Sequence, residues 1–355
     1  MPIAPHVLPF LAALPSAAGR TALVTGGNAG LGRETARFLA HRGASVIIAA
    51  RDYAKAEEAR ADVLSDVPDA DVRVERLDLA SLASVEACAG RLGRREIDIV
   101  VCNAGIMAVD RSLTEDGFES QLGVNHLGHF ALVGRLYERL AARPGARVVV
   151  VTSSAAYFGR LDFDDLMGER RYDRWTAYNQ AKLANVTFVQ ALARRFASAG
   201  AGVAARGATS SGGRVAADAG ATGRAEAGPR AQGREAAGPG APGHATAHAA
   251  HPGIVFTQLQ RRLLEEAQGL PWRDRVFLGR ITPSIGQDAQ MGALPQVYAA
   301  LSPDAENGDM WAPRWFVRGR PVSVRPPRAT LDVGAQERLW AVSEELTGVA
   351  FGPRG

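Results

Sequence analysis

In "TAYNQAKLAN", Thr176 to Asn185, a lysine follows a tyrosine by four residues in a stretch of helical character. Positions i and i+4 lie one above the other on a helix, so the Tyr178 phenol and the Lys182 ammonium can share one small volume. A fixed positive charge favours the phenolate and draws a phenol that titrates near ~10 toward neutrality, which makes Tyr178 a candidate proton donor and acceptor. The same spacing also occurs on ordinary helix surfaces, so the pair gains meaning only from the rest of the chain.

A second constellation lies near the N-terminus. "ALVTGGNAGLGRETA" places Gly26, Gly30 and Gly32 at a strand-to-helix junction. Glycines there allow a tight turn and a close backbone approach, and the helix beginning near Leu31 offers free N–H groups and a positive dipole end to a pyrophosphate. The next strand ends "VIIAARD", with Ala50 where an acid would bind a ribose diol and Arg51 beside it. An arginine at that place accommodates a 2′-phosphate, which favours NADPH over NADH; Arg33, in the first helical turn, is a further candidate for the same phosphate.

These residues need a scaffold. From Arg20 the chain alternates short apolar runs ("TALVT", "ASVIIAA", "DVRVERLDL", "IDIVVCNAG", "ARVVVVTSS", "HPGIVFT") with helix-period segments such as "LGRETARFLAHRG" and "YAKAEEARADVLS". Strands alternating with helices predict βαβ units, hence an α/β fold: one doubly wound Rossmann domain, mainly parallel, with helices on both faces. Residues 1–19 form an N-terminal extension and 20–355 the domain. An insertion at about 200–246, rich in Gly, Ala, Arg and Pro and without aromatics, interrupts it. Such composition buries too little apolar area to offset about 1 to 2 kcal/mol of backbone entropy per residue, so a disordered surface segment is expected.

With these elements in place the sequence resembles the short-chain dehydrogenase/reductase family, in its single-domain branch, from about Arg20 to the C-terminus outside the insertion. The spacing TGxxxGxG is met by Thr25, Gly26, Gly30 and Gly32, and the resemblance extends cofactor contact to Asn28 and Leu31. "CNAG" supplies Asn103, Ala104 and Gly105, with Cys102 in place of a more common asparagine. "RLDLAS" supplies Asp78, matching the acid that binds the adenine amino group, and Leu79 beside it. "GVNHLGHF" gives Asn125, the family's helix-kinking asparagine that anchors a water in the proton relay. "VVVVTSSAAYFG" gives the serine, taken as Ser154 rather than Ser153. "HPGIVFT" gives Pro252, Gly253 and Thr257, which in the family close over the nicotinamide.

The resemblance implies hydride transfer between nicotinamide C4 and a carbonyl or alcohol carbon. Tyr178 would exchange the proton, Ser154 hold the oxygen, Lys182 lower the tyrosine pKa and bind the nicotinamide ribose, and Asn125 complete the relay. About two dozen residues separate Ser154 from Tyr178, and that spacing, "NHLGHF" and "AKLANVTF" are similar to the retinol dehydrogenase and protochlorophyllide reductase-like group. The vertebrate retinol enzymes carry an N-terminal membrane anchor. None is expected here, since "HVLPFLAALPSAAG" is short, interrupted by Pro9 and Pro15, and lacks a basic leader.

Around the chemistry, Tyr157, Phe158 and Trp175 favour a lipophilic or aromatic carbonyl substrate. Leu259, Leu263, Trp272 and Phe277 are either pocket-lining or packing residues of a helix and loop at the place of the family's substrate lid. His126, His129 and His251 show no metal-ligand spacing and read as scaffold, and no metal is expected. "LWAVSEELTG" is read as a helix with Leu339, Val342 and Leu346 toward the core. The 355 residues are 46% apolar and 22% charged, and the net charge of +4 shows no basic block with interleaved aromatics, so nucleic acid is not an expected partner. Cys88 and Cys102 provide no disulfide framework, which fits a reducing cytoplasm. The expectation is a cytoplasmic NADPH-preferring reductase acting on a small-molecule carbonyl or alcohol, with NADH possible, no membrane partner, and a homodimer or homotetramer as candidate assemblies. The alternative from another class is a non-catalytic NADP-binding redox sensor, which needs neither the tyrosine, the serine nor the lysine. An epimerase or dehydratase would call for TGxxGxxG and a larger C-terminal domain, and neither is evident.

Overall fold

Runs of branched aliphatic residues build the centre of the sheet. In the computed structural model, which describes residues 2–210, 244–255 and 286–352, β1 (Thr21–Thr25), β2 (Ser45–Ala50), β3 (Val72–Arg76), β4 (Ile99–Cys102), β5 (Arg147–Val151) and β6 (Thr246–Ala250) pair in parallel. With β7 (Met310–Pro313) and the antiparallel edge strand β8 (Pro321–Val324), the order is β3-β2-β1-β4-β5-β6-β7-β8. Strands β4 and β5 are buried on both faces because helices cover both. Pro321 opens β8, where a missing N–H costs no ladder bond.

The described α-helices of five or more residues are α1 (Leu8–Ala12), α2 (Gly30–His41), α3 (Tyr53–Asp66), α4 (Leu82–Leu92), α5 (Gly128–Ala142), α6 (Arg174–Ser210), α7 (Ala289–Leu301) and α8 (Val333–Thr347), and a single turn at Ser120–Leu122 leads toward α5. One core layer holds α2 and α7 against β1, β2 and β5; the other holds α4, α5 and α6 against the opposite face. The reversal of strand order between β1 and β4 opens a crevice at the carboxyl ends of the strands, the place where such sheets bind ligands.

The N-terminal segment packs onto the domain from Val7 onward. Val7, Leu11, Leu14 and Ala17 are buried in the same cluster as Phe38, Leu39 and Val297, and Phe10 accepts a hydrogen bond from Tyr298 Oη at 2.9 Å. At the other end α8 buries Leu339, with Val342 and Leu346 packed beside it, as its periodicity predicts. Trp340 meets Phe351 edge-on at 4.4 Å and Phe130 at 5.2 Å, contacts of about 0.5 to 1.5 kcal/mol each beyond area burial.

Helix α6 continues through Ser210, as alanine-rich composition allows, and β6 begins at Thr246; residues 211–243 of the segment read as an insertion at about 200–246 lie outside the described residues. The sixth strand is therefore "TAHAA" rather than "HPGIVFT". Four of its five residues are fully covered by neighbouring strands and helices, so tertiary packing overrides a composition poor in strand formers, and His251–Gly253 form the loop that follows.

Candidate active site

The glycine-rich turn joins β1 to α2. Helix α2 starts at Gly30 with Ala29 before it, so no side chain caps the first N–H groups, which are presented to the crevice. A methyl group on Gly32 would lie 2.3 Å from Gly26 O and 2.4 Å from Asn103 Nδ2, which is why only glycine fits between the turn and β4. Asn103 Nδ2 donates to Thr25 O at 2.9 Å, and the Asn103 and Ala104 N–H groups donate to Thr25 Oγ1 at 2.9 and 3.0 Å. Asn28 and Leu31 are half-buried on the rim of the same turn. An uncapped helix start beside a close-packed glycine turn fits a dinucleotide pyrophosphate.

At the end of β2, Ala50 is buried and Arg51 is exposed, without a hydrogen bond or ion pair among the described residues. Asp52 caps α3, accepting from Lys55 N at 3.1 Å and pairing with Lys55 Nζ at 3.1 Å, so its charge is engaged by α3. Arg33 is held by Glu34 at 3.3 Å and Asp62 at 3.4 Å, beside the buried Arg37 that joins the same two carboxylates and Asp66. Asp78 Oδ1 accepts from Ala80 N at 3.0 Å and orders the turn after β3, with Leu79 buried next to it. Cys102 is wholly buried, and burial pushes its thiol well above the ordinary range, so it is an inert core residue.

The helix leading into α5 carries a π-helical turn, Gly123–Leu127, the kink expected at Asn125. The Asn125 amide clamps one backbone residue: Oδ1 accepts from Ile106 N at 2.8 Å and Nδ2 donates to Ile106 O at 2.9 Å. Gly105 lies between that amide and the lysine, since a methyl there would stand 2.7 Å from Asn125 Oδ1 and 3.4 Å from Lys182 Nζ.

Tyr178 and Lys182 are on the buried face of α6, 7% and 5% exposed, and Lys182 Nζ is 5.7 Å from the centre of the Tyr178 ring. Two bonds staple this turn of α6 to the end of β5: Thr152 Oγ1 donates to Lys182 O at 2.8 Å, and Lys182 Nζ donates to Val151 O at 3.3 Å. Burial pushes the Tyr178 phenol up to about 12 and Lys182 down to about 8. In the protein alone, desolvation therefore outweighs the charge effect anticipated from the sequence. The side chain that opposes the rise at Tyr178 is Ser153, whose Oγ accepts from Ala155 N at 3.2 Å. Ser154 is the first residue of the adjoining 3-10 turn, Ser154–Phe158, and is half-buried.

Pro252 and Gly253 close the far side. Gly253 has a φ of +72°, and a methyl there would meet Val317 O at 2.3 Å. Gln287 Nε2 donates to Pro252 O at 2.8 Å and Ile254 N donates to Val317 O at 2.9 Å. Thr257, Leu259, Leu263, Trp272 and Phe277 lie outside the described residues. Trp175 meets Tyr178 edge-on at 6.3 Å, whereas Phe158 is 78% exposed and Tyr157 turns its hydroxyl to Arg325 O at 2.5 Å.

The sequence reading missed the polar network that orders the long connection from Ser154 to Tyr178. Tyr172 Oη bonds Val109 O and Glu119 at 3.0 Å each, Gln121 Nε2 donates to Tyr172 Oη and to Arg174 O at 2.9 Å, and Gln180 Oε1 accepts from Asp162 N at 2.8 Å. No short motif marks these residues; only the long spacing hinted that something must hold the connection. Among the described residues no cluster suited to a metal ion occurs, and no helix is long and apolar enough to cross a membrane.

Comparison with known proteins points to one family. A family model described as short chain dehydrogenase matches residues 20–211. Retinol dehydrogenase 12 of Homo sapiens is 36% identical over 335 residues, covering 94% of this chain and 88% of that protein. Retinol dehydrogenase 14 of Mus musculus is 32% identical over 343 residues, covering 93% and 86%. A solved structure of an uncharacterized protein from Mycobacterium paratuberculosis is 36% identical with a TM-score of 0.69, covering 97% of this chain and 98% of that one. A structure described as an NAD(P)-dependent gluconate 5-dehydrogenase from Beutenbergia cavernae with bound NADP is 20% identical with a TM-score of 0.55, covering 83% and 95%, a likeness of fold.

Proposed function

Because this chain belongs to the short-chain dehydrogenase/reductase family and is an NAD(P)-dependent oxidoreductase acting on CH–OH or C=O groups, we propose that it is an NADPH-preferring reductase of a lipophilic carbonyl. The observation that carries the reading is the burial of Tyr178 and Lys182 on one turn of α6, with Gly105 and Asn125 against the lysine.

The β1–α2 turn would hold the pyrophosphate of a dinucleotide, whose nicotinamide, when bound, would supply the hydride. Tyr178 donates the proton to the carbonyl oxygen, and a phenol raised to about 12 remains protonated at neutral pH. Ser154 holds that oxygen and stabilises its developing charge, while Ser153 orients the phenol. Lys182 binds the nicotinamide ribose and, once charged beside it, favours departure of the tyrosine proton. Asn125 carries the relay, and Pro252 and Gly253 cover the nicotinamide. Asp78 and Leu79 contact the adenine, and Asn103, Ala104 and Gly105 line the adenosine side. Support for NADPH comes from the unpaired Arg51 and from Asp52 being engaged by α3. Support for a lipophilic substrate comes from Trp175 at the tyrosine edge and from relatives named for retinol. Two buried free thiols fit a cytoplasmic location.

The test is NADPH consumption by the purified protein against aldehydes, steroid-like ketones and quinones, beside Tyr178→Phe. Turnover lost in the mutant, with NADPH affinity retained, is the expected result. Equal turnover in both proteins defeats the assignment.

A further inference from the structure

His129 lies on α5, one turn after Asn125, and is 1% exposed. Its two ring nitrogens face different parts of the site. Nδ1 is 3.0 Å from the Asn125 carbonyl, and Nε2 is 2.8 Å from Thr25 Oγ1. A carbonyl only accepts, so Nδ1 carries the proton, and burial lowers the imidazole to about 4 and keeps it neutral. Nε2 is then an acceptor, and the single Thr25 hydroxyl proton goes to it at 2.8 Å rather than to Val101 O at 3.4 Å. The two lone pairs of Thr25 Oγ1 are already taken by the N–H groups of Asn103 and Ala104. Every hydrogen-bonding position along this line is filled in one direction, from the turn after β4 through Thr25 and His129 to Asn125.

Resting on the reductase reading for the role of Asn125, we propose that His129 is a positioning residue that ties the dinucleotide-binding turn to the relay asparagine and holds the two in register. Thr25 ends β1 and Asn125 sits in a distant π-helical turn; residues 103–106 link them by backbone, with Ala104 N on Thr25 and Ile106 N on Asn125, and His129 adds a side-chain tie between them. Through Asn125 the tie reaches Ile106, Gly105 and the Lys182 ammonium. A histidine suits the task because it presents a donor and an acceptor on opposite sides of one rigid ring.

The two ends can be cut separately. In His129→Asn the amide nitrogen stands at the δ position and keeps the bond to Asn125. In His129→Gln the amide reaches the ε position and keeps an acceptor for Thr25. The expected result is a split, each lost bond costing about three- to tenfold. His129→Asn weakens NADPH binding, measured by nicotinamide fluorescence, with kcat near that of the unmodified protein. His129→Gln binds NADPH normally and loses kcat, and His129→Leu loses both. Parallel losses of kcat and affinity in the Asn and Gln variants overturn the proposal, as does a lowered melting temperature with both parameters unchanged. Tyr178→Phe is run alongside: persistent turnover there defeats the reductase reading, while the NADPH dissociation constants still decide the role of His129.

Discussion

Lys182 Nζ stands 5.7 Å from the centre of the Tyr178 ring, and both side chains are withdrawn from solvent on one turn of α6. Burial moves the two groups in opposite directions: the phenol rises to about 12 and the ammonium falls to about 8. Each is pushed toward its neutral form. A single environment thus makes the tyrosine a proton reservoir at neutral pH and leaves the lysine close to its own titration point.

The first prediction concerns that titration. Lys182 is charged below about 8 and neutral above it, so kcat/KM for carbonyl reduction, which reports the free enzyme, should fall through an apparent pKa near 8. Lys182→Arg should move this alkaline limb upward, at a lower rate, because guanidinium stays protonated. A limb unmoved in that variant assigns it to another group.

Ser153 and Ser154 should separate by parameter. Ser153 opposes the rise of the Tyr178 phenol, so Ser153→Ala should disturb the pH profile of kcat. Ser154→Ala should remove the donor to the substrate oxygen and lower kcat by about a hundredfold or more. Steady-state kinetics across pH checks both, and a larger loss in Ser153→Ala would transfer the oxygen-holding role to Ser153.

Arg51 is exposed at the end of β2, where no carboxylate occupies the ribose position. Arg51→Ala should weaken NADPH about tenfold or more, the scale of a hydrogen bond to a charged group, and leave NADH nearly unchanged. Titration with both cofactors decides it; equal losses would reject the arginine as the phosphate reader.

Acid stability should follow the buried imidazoles. Burial lowers His126 and His248 to about 3 and His129 and His251 to about 4, from 6.5. Their folded values lie below the unfolded one, so their contribution is complete above about pH 6.5. It is lost as pH falls toward 4 and then 3, because the unfolded chain binds the extra protons. Each histidine adds a slope of about 1.4 kcal/mol per pH unit across that window. Denaturant titrations between pH 4 and 7 should show the decline, and His248→Asn should flatten it by about one proton.

The candidate site was largely legible in the sequence because its determinants are local. A glycine turn between strand and helix, Asn125 in a helix and Tyr178 four residues before Lys182 each depend on spacing within one or two turns, and periodicity places the β1-to-β5 strands and the C-terminal helix. The burial that displaces both pKa values was not legible, since it arises from packing α6 against β5. The Ser153 contact was not legible either, because neighbouring serines differ only in the direction that the chain turns after β5. Strand β6 was hidden because its alanines become strand only between β5 and β7. By itself the sequence determined the α/β fold, the glycine turn between β1 and α2, and the placing of Tyr178 and Lys182 four residues apart on one helix. Only the tertiary structure decided which groups meet: His129 between Thr25 and Asn125, Val317 over Gly253, and Tyr172 bonded to Glu119. These contacts join residues that chain closure brings together from distant segments, and no local pattern encodes the register in which such segments dock.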